Sequence, residues 1–304
     1  MEMRQLEHLV AVLEVGSIGK AAQQLGLTQP ALTQSLRRLE HGLDVALLER
    51  SPQGVAPTEA GRALAARARS ILLEAQHAHA EVDAVVGRMR GRLAIGCGPS
   101  LAVSLVPVAV ARVLARYPQI AVTVHEGTSD LMMAELERGT IDLVVGTGPE
   151  NFAQRGLHAD LLMRDAMVIA ARPEHPLARQ RSVTLSDTLA YPWIVPAVGD
   201  FLRGRIEAAF CGAGLSPPVP TVQTNSGSVI RGLLLSGDFL SFLPKRLVKG
   251  ANQGSALAAV RVSGSGWTRK VHVISRAASV NRPGRLFVSL LRRLCSDEVA
   301  SDQI

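Results

Sequence analysis

Two short helical patterns joined by a turn stand out near the start of the chain. Residues 17–40 read SIGKAAQQLGLTQPALTQSLRRLE. Ser17 is a favourable N-cap for the first helix, and Gly26 can end that helix because glycine readily adopts the left-handed conformation. Thr28 caps the second helix, and Pro30 lies in its first turn, where a missing N–H costs no hydrogen bond. The pattern predicts a helix-turn-helix.

The second of these helices has an apolar face and a polar face. Leu32, Leu36 and Leu39 recur at i, i+4 and i+7, so we expect them to be buried against the preceding helices. The opposite face offers amides, a hydroxyl and guanidinium groups, which suit base edges and phosphates. The predicted DNA-contacting residues are Ser17, Thr28, Gln29, Pro30, Thr33, Gln34, Arg37, Arg38 and Arg50.

A hairpin is predicted after the helix-turn-helix. The segment 43–48 and the return through 55–57 bracket SPQG, whose proline and glycine indicate a hairpin turn. Arg50 lies at the base of this wing, where it contacts phosphate or, alternatively, forms a surface ion pair with Glu49 or Asp44.

A long amphipathic helix is predicted from a cap at Thr58 to about residue 86. Its apolar residues follow a four-three repeat, which is typical of a coiled-coil seam. At 1.5 Å per residue the helix is roughly 40 Å long, too long to bury its stripe on a small helix-turn-helix domain, so we predict pairing with a second copy. The alternative is packing on the C-terminal part of the same chain. The predicted dimer seam is Leu64, Ala68, Ile71, Ala75, Ala78, Val82 and Val85.

The pattern changes after GRMRG, a glycine-flanked basic hinge at residues 87–91. Strand-like runs at 93–97, 121–125, 141–145 and 166–171 alternate with helical segments at 106–117 and 130–138. A second set has strands at 193–196, 219–223 and 239–243, helices at 202–211 and from 226, and a return at 267–274. This βαβ rhythm predicts two α/β lobes with a mostly parallel sheet, joined by crossings near 163–166 and 267–270.

Length and charge limit the alternatives. The 304 residues are 47% hydrophobic, enough for two or three domains. No secretory signal follows Met1, and the longest apolar run, 101–111, is far shorter than the ~20 residues that span a bilayer, so we expect a cytoplasmic protein without a membrane partner. The net charge is +7, but residues 1–90 hold ten basic and ten acidic residues. DNA binding must therefore depend on local clusters, helix N-termini and a doubled site.

Candidate chemistry is sparse. Cys97, Cys211 and Cys295 are far apart and odd in number, which favours idle thiols over a disulfide framework or a zinc site. The eight histidines are scattered, and the sequence has no G-x-S-x-G, Walker A or H-E-x-x-H motif. We therefore predict no catalytic residues, no metal and no cofactor.

Residues 4–61 resemble the winged helix-turn-helix of the LysR-type transcriptional regulators. The resemblance is carried, in order, by RQL, an AA-x-x-L turn, TQPALTQ, RRLE, LLER and PTEAG. Asp44 stands where the family often has glycine, and Leu48 where it often has phenylalanine; we expect both to adjust packing beside the wing. Further along, ARYPQI, GTIDLVVG, ARPEHPLA and FLP resemble, more loosely, the family's periplasmic-binding-protein-like effector domain.

This resemblance implies a multidomain α/β protein. A winged helix-turn-helix domain is expected at 1–58, a linker helix for dimerisation at 59–88 and an effector-binding domain at 91–304. Lobe I of that domain is expected at 91–163 and 268–304, and lobe II at 164–267. The resemblance also implies a homodimer, and beyond it a homotetramer, that binds a pseudo-palindromic DNA operator and controls a nearby operon. RNA polymerase is a further partner if the protein activates transcription.

A ligand site is expected where strands of the two lobes end and helices begin. This rule indicates six positions, which are Ser100, Thr128, Ser129, Thr147, Phe201 and Thr224. The resemblance also places effector contacts at four of them, Ser100, Thr128, Phe201 and Thr224. Each of these serines and threonines could instead be a simple helix N-cap. Hydroxyls, amides and helix dipoles with few carboxylates favour a small anion, such as an organic acid or a sulfonate.

Two other classes of function remain open from the sequence. One is a solute-binding or enzymatic α/β module to which a helix-turn-helix is attached as a secondary feature. Turnover of a bound ligand, or ligand binding without an effect on DNA, would favour it. The other is a DNA-bending architectural protein with no ligand, which a collapsed cleft would favour.

Overall fold

The computed structural model describes residues 1–51, 54–85, 91–148, 151–198, 200–249, 257–264, 266–276 and 280–301. The chain divides into two compact units. One comprises Met1–Arg88 and Glu137–Thr140, and the other comprises Met89–Leu136 and Ile141–Ile304. Within the described ranges, none of the helices combines the length and the apolar character that crossing a bilayer requires.

Three helices form the core of the first unit: α1 (Met3–Val15), α2 (Ile18–Gln24) and α3 (Gln29–Leu43). The side chains of Ser17 and Thr28 cap α2 and α3, each accepting a hydrogen bond of 3.4 Å from a backbone N–H of the first turn. Gly16 and Gly26 have φ angles of 69° and 65°, which residues with a Cβ rarely adopt. The predicted helix-turn-helix is confirmed.

The apolar face of α3 packs on α1 and α2. Leu32, Leu36 and Leu39 are each 1% exposed or less and join Leu9 and Val12 of α1 in one hydrophobic cluster. Fully burying a leucine side chain contributes about 1.5–3 kcal/mol relative to leaving it exposed. This face therefore fixes α3 on the unit and leaves its opposite face outward.

The predicted wing is a two-stranded antiparallel hairpin of β1 (Leu48–Ser51) and β2 (Gly54–Pro57). Before the hairpin, α3 continues to Leu43, and Asp44 ends it in the left-handed conformation at φ 50°. Residues 52 and 53 of the predicted turn lie outside the described residues.

A long helix, α4 (Glu59–Val85), follows the wing and begins at a close backbone approach. The Thr58 hydroxyl accepts a hydrogen bond from the Gly61 N–H at 2.9 Å and donates one to the Ala46 carbonyl at 2.8 Å. A Cβ on Gly61 would overlap the carbonyl oxygen of Leu47. The threonine and the glycine of PTEAG are therefore both needed where α4 meets the wing.

The first turns of α4 are used inside the chain, which corrects part of the predicted dimer seam. Leu64 packs against the cluster of the helix-turn-helix, and Ala68 is fully buried. Arg69 adds an ion pair with Glu14 of α1 at 3.6 Å. The physical reason is that α1 packs along this part of α4 and covers the beginning of the apolar stripe.

The rest of the predicted seam lies further along α4. Ile71 and Val82 are 38% and 65% exposed, Ala78 is exposed and Ala75 is half-buried. The side chain of Val85 lies outside the described residues. An apolar stripe from Ile71 onward is therefore uncovered in the single chain.

The second unit is a sheet flanked by helices. Its strands are β3 (Gly91–Cys97), β4 (Ile120–Glu126), β5 (Leu143–Gly146), β6 (Leu157–Ala171), β7 (Trp193–Val195), β8 (Pro220–Gln223), β9 (Leu240–Pro244), β10 (Ala258–Val260) and β11 (Thr268–Arg276). Its helices are α5 (Pro99–Ala102), α6 (Leu105–Arg116), α7 (Ser129–Arg138), α8 (Phe201–Gly212), α9 (Gly227–Ser236), α10 (Lys245–Lys249) and α11 (Arg282–Ser301).

The strand order is β4-β3-β5-β11-β6-β9-β7-β8, with β10 paired to β6. Strands β3, β4 and β5 of lobe I are parallel, as are β7, β8 and β9 of lobe II. Every pairing of β6 or β11 among the described strands is antiparallel. The sheet is thus mixed, and the expectation of a mostly parallel sheet was wrong because these two strands pass from one lobe to the other in opposite directions.

The two predicted crossings are neighbouring stretches of β6 and β11. Thr268 pairs with Ala166, and Arg269 pairs with Asp165. Each lobe has its own core beside them: Phe287 and Leu291 of α11 pack on the β3 side, and Trp193 packs edge-on against Phe210 of α8 in lobe II. The lobes therefore share a pair of strands and have separate hydrophobic cores.

We predict that the left-handed conformation at position 44 costs little free energy with aspartate and more with a β-branched residue. Asp44 is the one non-glycine residue with a positive φ in the described part of the chain. Asp44→Val should lower the free energy of unfolding by about 1–2 kcal/mol, whereas Asp44→Asn should leave it unchanged and Asp44→Gly should not lower it. Thermal unfolding followed by calorimetry measures this, and an equally stable Asp44→Val protein would contradict it.

A buried histidine in lobe II makes stability depend on pH. His175 is fully buried beside Tyr191, with ring centroids 4.5 Å apart, and its Nδ1 accepts a hydrogen bond from the Leu177 N–H at 3.1 Å. That nitrogen cannot carry a proton while it accepts, and burial lowers the pKa of His175. The unfolded chain therefore binds a proton more readily, and folding is disfavoured below the unfolded pKa of about 6.5.

We accordingly expect the free energy of unfolding to fall as the pH drops from about 7.5 to 5.5, by at most about 1.4 kcal/mol per pH unit from this group. His175→Asn removes the titration and keeps a side-chain oxygen that can accept from Leu177, so its pH dependence should be flatter. Denaturant unfolding at several pH values measures both slopes. Identical slopes for the two proteins would show that His175 is not responsible.

Candidate functional site

The outward face of α3 is polar and basic. Gln29, Gln34, Arg37 and Arg38 are exposed, as is Pro30 in the first turn, while Thr33 is half-buried. These side chains lie on the face of α3 opposite the buried leucines. Amide and guanidinium groups in this arrangement can donate to and accept from base edges and donate to phosphates.

Glu40 is the single acidic residue of α3, and it faces the wing. Its Oε1 accepts hydrogen bonds from the backbone N–H groups of Leu47 and Leu48, at 2.8 and 3.2 Å. The carboxylate therefore holds the start of the wing and does not add a negative charge to the outward face.

The remaining predicted DNA-contacting residues occupy the helix starts and the wing. Ser17 is half-buried and Thr28 is exposed, and both cap helices whose N-termini are suited to phosphate. The backbone of Arg50 lies in β1, but its side chain lies outside the described residues.

A hydrogen bond between helices helps to fix the orientation of α3. His8 Nδ1 of α1 lies 2.7 Å from the Ser35 hydroxyl. Burial lowers the pKa of His8. A neutral imidazole is thus favoured at the contact that joins α1 to α3.

The second unit contains a cavity of about 480 Å³ between its lobes. Of the six residues predicted as effector contacts, the structure brings five to its wall: Ser100, Thr128, Ser129, Thr147 and Thr224. Phe201 begins α8, but its side chain lies outside the described residues. These five residues follow four strands of the two lobes and meet in one cleft.

Some of these hydroxyls have local partners. Ser129 Oγ lies 3.2 Å from Thr147 Oγ1, and Thr224 Oγ1 accepts a hydrogen bond from the Ser226 N–H at 3.1 Å. The N-caps of α8 and α9 are Asp200 and Ser226. In lobe II, therefore, the residues that cap the helices are not the ones predicted as effector contacts.

Three of the longer helices, α7, α8 and α9, begin at the cavity wall. Their first residues contribute Ser129, Leu202 and Ser228 to the lining. Backbone N–H groups at the start of a helix, together with the helix dipole, favour negative charge nearby. The cleft is thus suited to an anionic group.

The other part of the cavity wall is apolar. It includes Leu101 and Val103 from lobe I and, from lobe II, a larger set that surrounds α9 and β9. That set consists of Leu202, Ile230, Leu235, Leu243, Leu247 and Leu257. An organic ligand with both a hydrophobic part and an anionic part fits this wall better than an inorganic anion does.

The prediction from sequence missed the charged and amide groups of the cleft. Asp200, Arg231 and Arg269 line it, and Asn225 lines it with its Oδ1 accepting a hydrogen bond from the Ala197 N–H at 3.1 Å. Burial raises the pKa of Asp200, and the charge of Asp130 adds to this effect. Arg269 could have been predicted from the sequence, because it is a charged residue inside the predicted crossing at 267–270.

Arg269 belongs to a buried ionic cluster behind the wall. It donates from Nε and Nη2 to Asp165 Oδ2, at 3.0 and 2.8 Å, and from Nη2 to Ser100 Oγ at 2.8 Å. Arg246 donates to the other oxygen of Asp165 at 3.1 and 3.0 Å. Asp165 is 3% exposed, so its charge is balanced by these two guanidinium groups rather than by water.

The described residues give little support for metal or thiol chemistry. Among them, no group of three or more histidine, cysteine or acidic side chains is arranged to hold a metal ion. Cys97 and Cys295 are buried and Cys211 is exposed. Burial raises the pKa of Cys97 to about 11, which disfavours the reactive thiolate.

Known proteins match both units. The family model described as bacterial regulatory helix-turn-helix protein, lysR family, matches residues 3–62, and the LysR substrate binding domain model matches residues 87–296. The transcriptional regulator GbpR of Rhizobium radiobacter is 33% identical over 74% of this chain and 75% of its own length. The regulator GalR of Pseudomonas putida is 28% identical over 98% of this chain and 75% of its own length.

A solved structure also matches over nearly the full length. Full-length CbnR, complexed with its target DNA, has a TM-score of 0.66 and 25% identity, covering 96% of this chain and 99% of that one. The two family models together match residues of both units. The chain therefore belongs to the LysR family and is a DNA-binding transcriptional regulator.

Proposed function

We propose that this regulator controls a nearby metabolic operon in response to a small organic anion that binds between the lobes of its second unit. The observation that carries the proposal is the convergence of five predicted hydroxyl residues and three helix N-termini on one cavity. The regulator acts on chromosomal DNA in the cytoplasm. RNA polymerase is a further partner if it activates transcription.

The exposed face of α3 is proposed to read the operator. Gln34 and Arg37 are exposed on that face, opposite the buried Leu32 and Leu36, and are assigned to base edges in the major groove. The helix starts at Ser17 and Thr28, together with Arg38, suit phosphates on either side. Arg50 is proposed as a phosphate contact of the wing.

The second part of α4 is proposed to form the dimer. Ile71 and Val82 leave large apolar side chains in water in the single chain, and Ala75 and Ala78 lie between them on the same stripe. Pairing two copies along this stripe would bury it and would place two copies of α3 on a pseudo-palindromic site. A homotetramer, proposed as the working form, binds two such sites.

The organic anion is proposed to shift the equilibrium between open and closed arrangements of the lobes. The lobes share β6 and β11 and have separate cores, so they can move as two bodies about that strand pair. A ligand that contacts both walls of the cavity binds the closed arrangement more tightly and increases its population.

Capture of genomic fragments on the purified protein, at near-physiological salt, tests the DNA-binding part. We expect enrichment of a few intergenic sites that contain an inverted repeat. Gln34→Ala should weaken binding to such a site by about 1–3 kcal/mol and relax its sequence preference, because a base-reading contact is lost. Arg38→Ala, as a phosphate contact, should weaken all sequences alike.

Two results would contradict this assignment of α3. The first is unchanged operator affinity in both Gln34→Ala and Arg37→Ala. The second is uniform enrichment of genomic DNA, which would favour an architectural protein. If no DNA is enriched and the cavity turns over a bound compound, the second unit is an enzymatic module.

We predict that charge on the uncovered stripe of α4 separates the dimer. Ile71→Glu combined with Val82→Glu would place carboxylates against their own copies, so sedimentation should show monomers where the unmodified protein forms dimers or tetramers. Ala66→Glu is the matched control, because Ala66 is exposed on α4 away from the stripe and should leave assembly unchanged. Dimers that persist in the double variant would place the interface elsewhere.

A further inference from the structure

Arg269 occupies an unusual place for a charged residue. It lies on β11, in the stretch that pairs with β6 where the chain passes between lobes, and it is 8% exposed while lining the interlobe cavity. Keeping a guanidinium in such a position costs desolvation free energy that the Asp165 carboxylate offsets. A hydrophobic residue at this position would allow the same strand pairing without the desolvation cost. The presence of a charge therefore suggests a role other than stability.

The guanidinium of Arg269 connects the lobes through hydrogen bonds. On one side, its Nη2 donates to the hydroxyl of Ser100, which follows β3 in lobe I. On the other, its Nε and Nη2 hold Asp165, whose second oxygen accepts from Arg246 of α10 in lobe II. A change at the Ser100 end is therefore passed directly to the strand crossing and to lobe II.

The charges of the cavity favour a ligand with one negative charge. The charged side chains that line it in the described part of the chain are Arg231, Arg269 and Asp200, which sum to +1. Adding the pair behind the wall, Asp165 and Arg246, leaves the same sum of +1. One anionic group neutralises this sum, whereas a second would leave the site with a net negative charge.

We propose that Arg269 recognises a single carboxylate on the ligand, and that this carboxylate competes with the Ser100 hydroxyl as an acceptor for Nη2. The inference rests on the proposed function of the cavity as the effector site and specifies its ligand as an organic monocarboxylate with an apolar body. The apolar wall around α9 accommodates the body. An uncharged analogue leaves the bond between Arg269 and Ser100 in place, so binding and coupling are specific for the anion.

Titration calorimetry with matched probes tests the proposal. The probes are benzoate and hexanoate, their amides benzamide and hexanamide, and the dicarboxylates phthalate and adipate. We expect at least one monocarboxylate to bind, about tenfold or more tighter than its amide and its dicarboxylate counterpart, because a charge-assisted hydrogen bond to a buried guanidinium is lost in the amide. Equal binding of acid and amide, preference for the dicarboxylate, or no binding by either acid would overturn the proposal.

Variants locate the charge preference on Arg269. In Arg269→Gln the monocarboxylate should lose its preference over the amide, while amide binding is unchanged. Ser100→Ala is the matched control: it leaves Arg269 with Asp165 and removes only the competing hydroxyl, so the preference for the acid should persist. Loss of the preference in Ser100→Ala with retention in Arg269→Gln would assign recognition to the hydroxyl instead.

Arg269→Gln leaves one buried partner fewer for Asp165 and can reduce stability. Arg269→Lys keeps the charge and loses the planar pair of donors, so it should fold and bind the monocarboxylate several-fold more weakly, still in preference to the amide. Thermal unfolding of each variant without probe establishes that it is folded before titration. A folded Arg269→Lys protein with unchanged affinity and selectivity would contradict recognition through the Arg269 guanidinium.

Operator binding separates this inference from the proposed function. If a monocarboxylate binds through Arg269 but operator affinity and transcription do not respond, the effector role of the cavity fails and the recognition by Arg269 stands. If operator binding responds to a neutral compound that binds equally well to Arg269→Gln, the effector role stands and the inference fails.

Discussion

The ion pair between Arg269 and Asp165 is the interaction on which the second unit depends. The two lobes have separate hydrophobic cores, and they are connected where β6 and β11 run antiparallel. At that point the strands carry opposite charges opposite each other, and Arg246 and Ser100 complete the hydrogen bonds of the pair. Burying such charges is costly unless they are well paired, so their geometry fixes the register of the crossing and, with it, the positions of the loops that line the cavity.

The helix-turn-helix could be predicted almost completely from sequence, because its determinants are local. Ser17 and Thr28 cap helices through groups a few residues away, and the leucines of α3 have one spacing that buries them together. The strand ends of the second unit were found for a similar reason, since a run of apolar residues bounded by glycine, serine or threonine indicates both the strand and the loop after it. Five residues chosen in this way line the cavity.

The remaining features depend on contacts between distant residues, which a local pattern cannot show. Leu64 and Ala68 continue a seam that looks uniform in sequence, but the packing of α1 on α4 divides that seam into a covered part and an uncovered part. Arg269 and Asp165 are 104 residues apart, and a charged residue in a strand is ordinarily read as a solvent-facing position. The directions of β6 and β11 likewise follow from two crossings that are distant in sequence and pair only in the folded chain.

The contrast between the two units follows from what each must recognise. DNA presents a regular surface, so α3 needs an exposed row of donors and acceptors on a rigid support, which the capped helices, the buried leucines and the bond from Glu40 to the wing provide. A small molecule must instead be enclosed, so the two lobes that line the cavity must be able to move apart and close again. Separate cores joined by one strand pair permit that movement, and under the proposed function the charge cluster at the joint would make the movement sensitive to a charged ligand. Replacing a buried ion pair by well-packed apolar residues is often neutral or stabilising, so we propose that this cluster serves ligand response rather than stability.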